Sequence, residues 1–222
     1  MSALGTIGKI VRSSLSRGGA RKSKKSPAPE LEKGTFDYIR EPKSDCFSVG
    51  FAKTDVMPDD MDKTAYYVAG YRMNNPAKGV LDPMTASAVW IDDLSGRGGV
   101  VFVSIDDIGL TNYDVGIIRD LLADFKNESG CRSINIMSIH NHASIDTVGL
   151  WGPLPRSGRN KKYMELLAQK VKQVVLDAYN DRRDGDLYYG KKEAEAIQRD
   201  SRLPEVYSKD VHRFRFVPKD GS

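Results

Sequence analysis

The sequence is short of the residues that build most redox and metal centres: 222 residues contain two cysteines and three histidines. Cys46 and Cys131 allow at most one disulfide and have no C-x-x-C spacing, which excludes a disulfide framework and a thiolate zinc site. Long apolar runs are missing too. The longest, Gly99 to Ile105, suits a strand and falls far below the roughly 20 residues that cross a bilayer. A strong charge of one sign is also absent, because the formal +4 is unevenly placed. Residues 1–33 hold eight Lys or Arg against two acidic residues, and the remaining 189 hold 26 against 28, so the body is slightly acidic. What is present is ordinary for a folded domain: 40% hydrophobic and 29% charged residues. A chain of this length is expected to bury roughly 70% of the surface its unfolded form exposes.

The stretch LSRGGARKSKKSPAPELEKG has almost nothing apolar to offset its ordering entropy, so residues 1–35 are expected to form a disordered basic arm ahead of one α/β domain over residues 36–222. A secretory signal carries its cations before an apolar stretch. Here the short IGKIV comes first, and a cytoplasmic location is the expectation. A basic arm attracts nucleic acid or anionic lipid. No aromatic residue interleaves the charges before Phe36, which makes a solvated tail the simpler reading and nucleic acid a poor partner.

From Cys46 short apolar segments alternate with turns. CFSVGFAKTDVMP, YYVAGYRM and TASAVWIDD read as strands, LSGRGG as a turn, and the β-branched run GVVFVSI as a strand covered on both faces. LSGRGG precedes a strand and opens no helix, so it is a turn and not a phosphate loop. Asn112 is a candidate helix cap, followed by Val115, Ile118, Leu121, Leu122 and Phe125 at helical spacing up to Gly130. SINIMSI is a further buried strand. Tyr163, Leu166, Leu167, Val171, Val174, Val175 and Ala178 then mark the apolar stripe of a second, longer helix. DLYYGKKEAEAIQRD is open between a solvated helix and paired strands. The resulting fold class is α/β, a mixed sheet with a βαβ unit and covering helices.

Strand, helix and strand over residues 100–139 form a crossover, which makes the two strands parallel and places their carboxyl ends side by side. The first ends in Asp106 and Asp107, the second in His140, Asn141 and His142, at the sheet edge where open α/β folds place ligands. Alternate strand residues share a face, so the two imidazoles can hold one cation between them. Catalytic zinc takes three protein ligands as a rule, and two histidines fall short. Asp106 or Asp107 is open to three roles: direct ligand, acceptor for the second nitrogen of a histidine, or strand-end cap. The alternative for the histidines is that backbone groups satisfy both. Trp90 and Trp151 read as packing residues, with Trp151 close enough in sequence to His142 to line a pocket.

These residues carry a resemblance. SIHNHASIDTVGLWG, with GVVFVSIDDIGL before it and DSRLPEVYSKDVHRFRFVPKDGS after it, resembles the amino-terminal part of the neutral/alkaline ceramidase family over Cys46 to Ser222. That family consists of zinc amidohydrolases that cleave the amide of N-acylsphingosines. The resemblance implies Zn2+ as cofactor, a lipid amide as substrate, His140 as a zinc ligand and His142 as a catalytic residue near the zinc and its water. It also sets Arg202 of SRLP beside the substrate. Asp106 and Asp107 are added as catalytic candidates from the residues alone. Asn141 stands where the family has Thr, and Ser144, Ile145 and Asp146 replace its short Gly-Pro turn, so the loop beside the metal is expected to differ in shape.

The family's second zinc histidine, a glutamate, a tyrosine and a substrate-binding serine lie further along than this chain reaches, and His212 falls too early to match. VHRFRFV reads as a strand with Arg213 and Arg215 on one face and Phe214 and Phe216 on the other, and PKDG as a turn toward a following partner strand. The expectation is therefore an incomplete catalytic domain, complemented by a carboxyl-terminal chain. The alternatives are a non-catalytic ceramidase-like module with a binding or structural role, and a basic-arm binder of nucleic acid or lipid.

Overall fold

A computed structural model describes residues 45–221, so the expected basic arm lies outside the described residues. Strands β1 (Phe47–Asp55), β2 (Thr85–Asp92), β3 (Val100–Ile105), β4 (Ser133–Ser138), β5 (Arg183–Glu193) and β6 (Asp210–Pro218) form one mixed sheet in the order β4-β3-β2-β1-β5-β6. Only β3 and β4 are parallel, with Val101 opposite Ile134 and Ile105 opposite Ser138. The turn LSGRGG closes the β2–β3 hairpin as expected. Leu94, Gly96 and Gly98 take positive φ there, and Arg97 donates to Asp93 at 2.6 Å.

Among the described residues three helices cover one face of the sheet. The crossover from β3 to β4 holds α1 (Asn112–Leu121) and α2 (Ala123–Ser129), while α3 (Lys161–Asn180) precedes β5. The apolar spacing from Val115 to Phe125 suggested one helix, but Leu122, fully buried with φ −105°, separates two. The cap is Thr111 and not Asn112: Thr111 Oγ1 accepts from Asp114 N, and the Asp114 carboxylate accepts from Thr111 N in return. Gly130 ends α2 in the left-handed region, as expected. On α3 the stripe Tyr163, Leu167, Val171, Val174, Val175 and Ala178 is buried against β1, β2 and β3. Trp90, Phe125 and Tyr179 meet edge to face at its far end, with centroids 4.9–6.1 Å apart, and the Arg182 guanidinium lies 3.2 Å above the Tyr179 ring. Helix and sheet approach closely at Gly50, where an added Cβ would come within 2.0 Å of the Ala178 carbonyl oxygen.

Two strand expectations change. GVVFVSI is covered on one face only, for Val101, Val103 and Ile105 are buried while Phe102 is 40% exposed. A β-branched composition favours a strand without specifying what lies over each face. YYVAGYRM makes isolated bridges, Tyr67 with Pro76 and Val68 with Ile145, because positive φ at Gly70 and Asn74 turns it off the sheet. VHRFRFV is the strand β6, paired along β5 with Tyr189 opposite Phe214 and Glu193 opposite Asp210, and Lys219 and Asp220 form the expected turn after it. The ambiguous stretch 186–200 is β5 followed by a single turn, Glu195–Ile197.

Candidate active site

Parallel pairing of β3 and β4 brings their carboxyl ends together. Past the last register pair the backbones stay joined: Ile139 N donates to Ile105 O at 3.1 Å and Asn141 N to Asp107 O at 2.9 Å. β4 ends at Ser138, so the histidines stand on a loop and strand alternation does not align them. The loop does so instead. His140 adopts φ +62°, a left-handed conformation that L-residues other than Asn, Asp and His seldom take. Its Nδ1 lies 2.8 Å from the Ile108 carbonyl oxygen, and a carbonyl only accepts, so this nitrogen carries the proton. The Nε2 lone pair of the neutral ring is then free, and His142 Nε2 lies 3.1 Å from it. With His140 Nε2 accepting, His142 carries its proton on Nε2, and its buried Nδ1 has no partner.

The neighbours of His142 were not legible in the sequence. Its ring packs edge-on against Tyr71 at 4.8 Å and lies against Gly70, where a Cβ would approach its Cγ to 2.5 Å. Gly70 also has φ +115°, so both the close approach and the backbone require glycine there. Both residues fall in the segment that read as a strand, and no local signal links them to a histidine so far along the chain.

The continuation IDTVGLWG secures the loop. Asp146 is fully buried, and its carboxylate accepts from the backbone nitrogens of Val148, Gly149 and Trp151 at 3.1, 2.6 and 2.8 Å. Thr147 Oγ1 donates to Gly109 O at 2.6 Å, and the Arg159 guanidinium bridges Thr147 O to the Asp114 carboxylate. Burial pushes Asp114 up, but Arg159 and Thr111 outweigh it and hold the carboxyl below the usual range. Trp151 is tied through its backbone, accepting from Asn74 N at 2.8 Å.

The two aspartates have separate surroundings. Asp106 Oδ2 accepts from Thr85 N and Oγ1 at 2.8 and 2.7 Å, which clamps the start of β2 to the end of β3. The Asp107 side chain is 1% exposed and neither oxygen has a hydrogen-bond partner. Burial pushes its pKa up to about 6, and the nearby Ser138 hydroxyl opposes that rise without completing a well-formed bond. The Asp107 charge, after burial, also raises Tyr163. Arg202 stands in the exposed segment between β5 and β6, where its backbone nitrogen donates to Asp200. The structure thus brings His140 and His142 into contact, while Asp106 and Asp107 make their own contacts with Thr85 and the interior.

His140 fits zinc as a single ligand: a carbonyl fixes the proton on one nitrogen and leaves the other as donor, the arrangement found behind metal-bound imidazoles. Among the described residues no group of three or more His, Cys, Asp or Glu gathers at one point, so the remaining donors of a zinc centre are not supplied there. No helix among them is long and apolar enough to cross a membrane.

The described residues thus form a six-stranded mixed sheet with helices on one face and a histidine loop at its parallel edge, an α/β fold. No family model and no curated protein matches the sequence. Solved structures do. A ceramidase complexed with C2 matches with a TM-score of 0.61 at 16% identity, over 79% of this chain and 29% of that one. The neutral ceramidase from Pseudomonas aeruginosa matches with a TM-score of 0.60 at 15% identity, over 80% of this chain and 30% of that one. The chain has a neutral ceramidase-like fold and spans under a third of the length of those structures.

Proposed function

We propose that the chain is the histidine-bearing part of a zinc-dependent amidohydrolase acting on the N-acyl amide of a ceramide or related lipid, with the other metal donors lying outside the described residues. The supporting observation is the His140–His142 pair, in which Ile108 O orients one imidazole as a ligand and Nε2 of the second lies 3.1 Å from its Nε2. Zinc would supply Lewis-acid polarisation of the amide carbonyl. His140 would hold the metal through Nε2, the metal taking the place of the His142 N–H at that lone pair. His142, packed against Tyr71 and Gly70, would take a proton from the attacking water and give it to the leaving amine. Arg202 as a substrate contact and Asp106 and Asp107 as catalytic groups are outside this reading, since their surroundings lie elsewhere.

One observation favours a second reading, a non-catalytic module with the same fold: the described residues gather fewer than three metal-ligating side chains at one point. Zinc titration by calorimetry separates the two. The hydrolase reading expects weak uptake of one zinc per chain at the histidine loop, abolished in His140→Ala and lowered less than tenfold in His142→Gln. A wild-type chain that takes up no zinc leaves the module reading.

A further inference from the structure

β5 pairs with β1 only over Arg183–Gly185, so from Leu187 outward it pairs with β6 alone and the two strands form a ribbon. Its outer seven residues, Leu187 to Glu193, extend about 23 Å. At its end the connection between the strands leaves Ile197 80%, Leu203 90% and Val206 78% exposed. Tyr188, Tyr189 and Phe214, nearer the body, are each more than half exposed. Register sets Tyr188 on one face with Arg215, Arg213, Lys192 and Val211, and Tyr189 with Phe214 on the other. Apolar side chains therefore stand on both faces as well as at the tip. That suits a lipid interface, which surrounds an inserted element, better than a flat protein surface, which covers one side. The charges agree. Residues 188–216 hold seven Lys or Arg against five Asp or Glu, while the other residues from 34 onward hold 19 against 23. Three of the five acids are engaged: Asp210 pairs with Lys191 at 2.9 Å, Glu195 pairs with Lys209 at 2.8 Å, and Asp200 accepts from the backbone nitrogens of Arg202 and Val206 at 3.0 Å. The face that carries Lys192, Arg213 and Arg215 has no carboxylate beyond Asp186 at its base.

We propose that the β5–β6 ribbon docks on an anionic phospholipid surface. Ile197, Leu203 and Val206 enter the boundary between head groups and acyl chains, Lys192, Arg213 and Arg215 meet the lipid phosphates, and Tyr188 and Tyr189 lie at the head-group level. Docking needs neither metal nor turnover; only its use, bringing the histidine loop to a lipid substrate, rests on the amidohydrolase reading. The test uses the full chain and vesicles of phosphatidylcholine with and without phosphatidylglycerol. Ile197→Trp places a fluorophore in the tip, and its emission, after subtraction of the parent chain, should shift to the blue on anionic vesicles and be quenched by brominated acyl chains. Vesicle affinity should fall about fivefold in each of Arg213→Gln and Arg215→Gln. It should fall by at least about tenfold in the double variant Leu203→Ser/Val206→Ser. Residues 1–33, with their excess of cations, can also hold the chain on anionic vesicles. Binding that survives undiminished in all these variants, or a tip fluorophore that bromine does not quench, therefore overturns the proposal. An emission already blue-shifted without vesicles and unchanged by them means that protein covers the tip, and overturns it too. A chain that docks but takes up no zinc loses the hydrolase reading alone.

Discussion

His140 and Asp107 sit at the same sheet edge, where Asn141 N donates to Asp107 O, and are handled in opposite ways. The imidazole is oriented by a carbonyl at a backbone angle few residues accept, which is the kind of local cost that clusters at working sites. The carboxylate is buried with no partner, and its pKa is displaced from 3.8 to about 6. Between those values the native chain binds a proton that the unfolded chain has released, so stability falls as pH rises from about 4 through about 6. The loss amounts to about 3 kcal/mol by pH 8. Asp107→Asn, which cannot ionise, should recover most of that at pH 8 and change little at pH 4. Urea midpoints measured across this range check the sign, and a variant no more stable than wild type at pH 8 contradicts it.

Among the elements, the start of α1 and the end of the loop before α3 depend on each other through Asp114 and Arg159. The Asp114 side chain is 4% exposed and Arg159 26%, and Asp114 also completes the Thr111 cap. Because its carboxyl is held below the usual range, this pair adds stability above the unfolded pKa and loses it on acidification, opposite in direction to Asp107. Arg159→Met strands a buried carboxylate and should cost about 3–5 kcal/mol at pH 7. Adding Asp114→Asn to that variant should return part of the loss, since no unpaired charge then remains. A thermodynamic cycle over the two single variants and the double variant reads the coupling directly. Additivity would mean that the pair does not hold the loop.

At the scale of the whole molecule the sheet is protected unevenly. Helices cover β1 to β4 on one side, while Phe51, Phe102 and Met137 on the other are 52%, 40% and 46% exposed. The outer part of the β5–β6 pair carries exposed Tyr188, Tyr189 and Phe214 and is joined to the rest only where Phe47–Val49 meet Arg183–Gly185. Amides with little buried surface above them open by local excursions well below the global unfolding energy. Hydrogen exchange should therefore be slowest in β2, β3 and the buried stripe of α3, and at least about 100-fold faster in the distal strands from Tyr188 to Val211. Equal protection in the two regions would show that the ribbon is covered in solution.

Most elements and the parallel pairing at the site were legible in the sequence, because each is specified by residues close together in the chain. The β-branched runs of β3 and β4, the stripe of α3 and the glycine that ends α2 are local features, and the crossover rule then sets the two strand ends side by side. The His-x-His pair was legible for the same reason. Its geometry was not: strand alternation gave the wrong cause for the convergence of the rings, which the left-handed turn at His140 and the Ile108 carbonyl bring about. Gly70 and Tyr71 beside His142, the isolation of Asp107 and the open sheet face all depend on what lies opposite a residue in space. Local pattern determines which backbone a segment prefers and which side is apolar, whereas long-range packing alone decides what that side meets and whether a buried charge finds a partner.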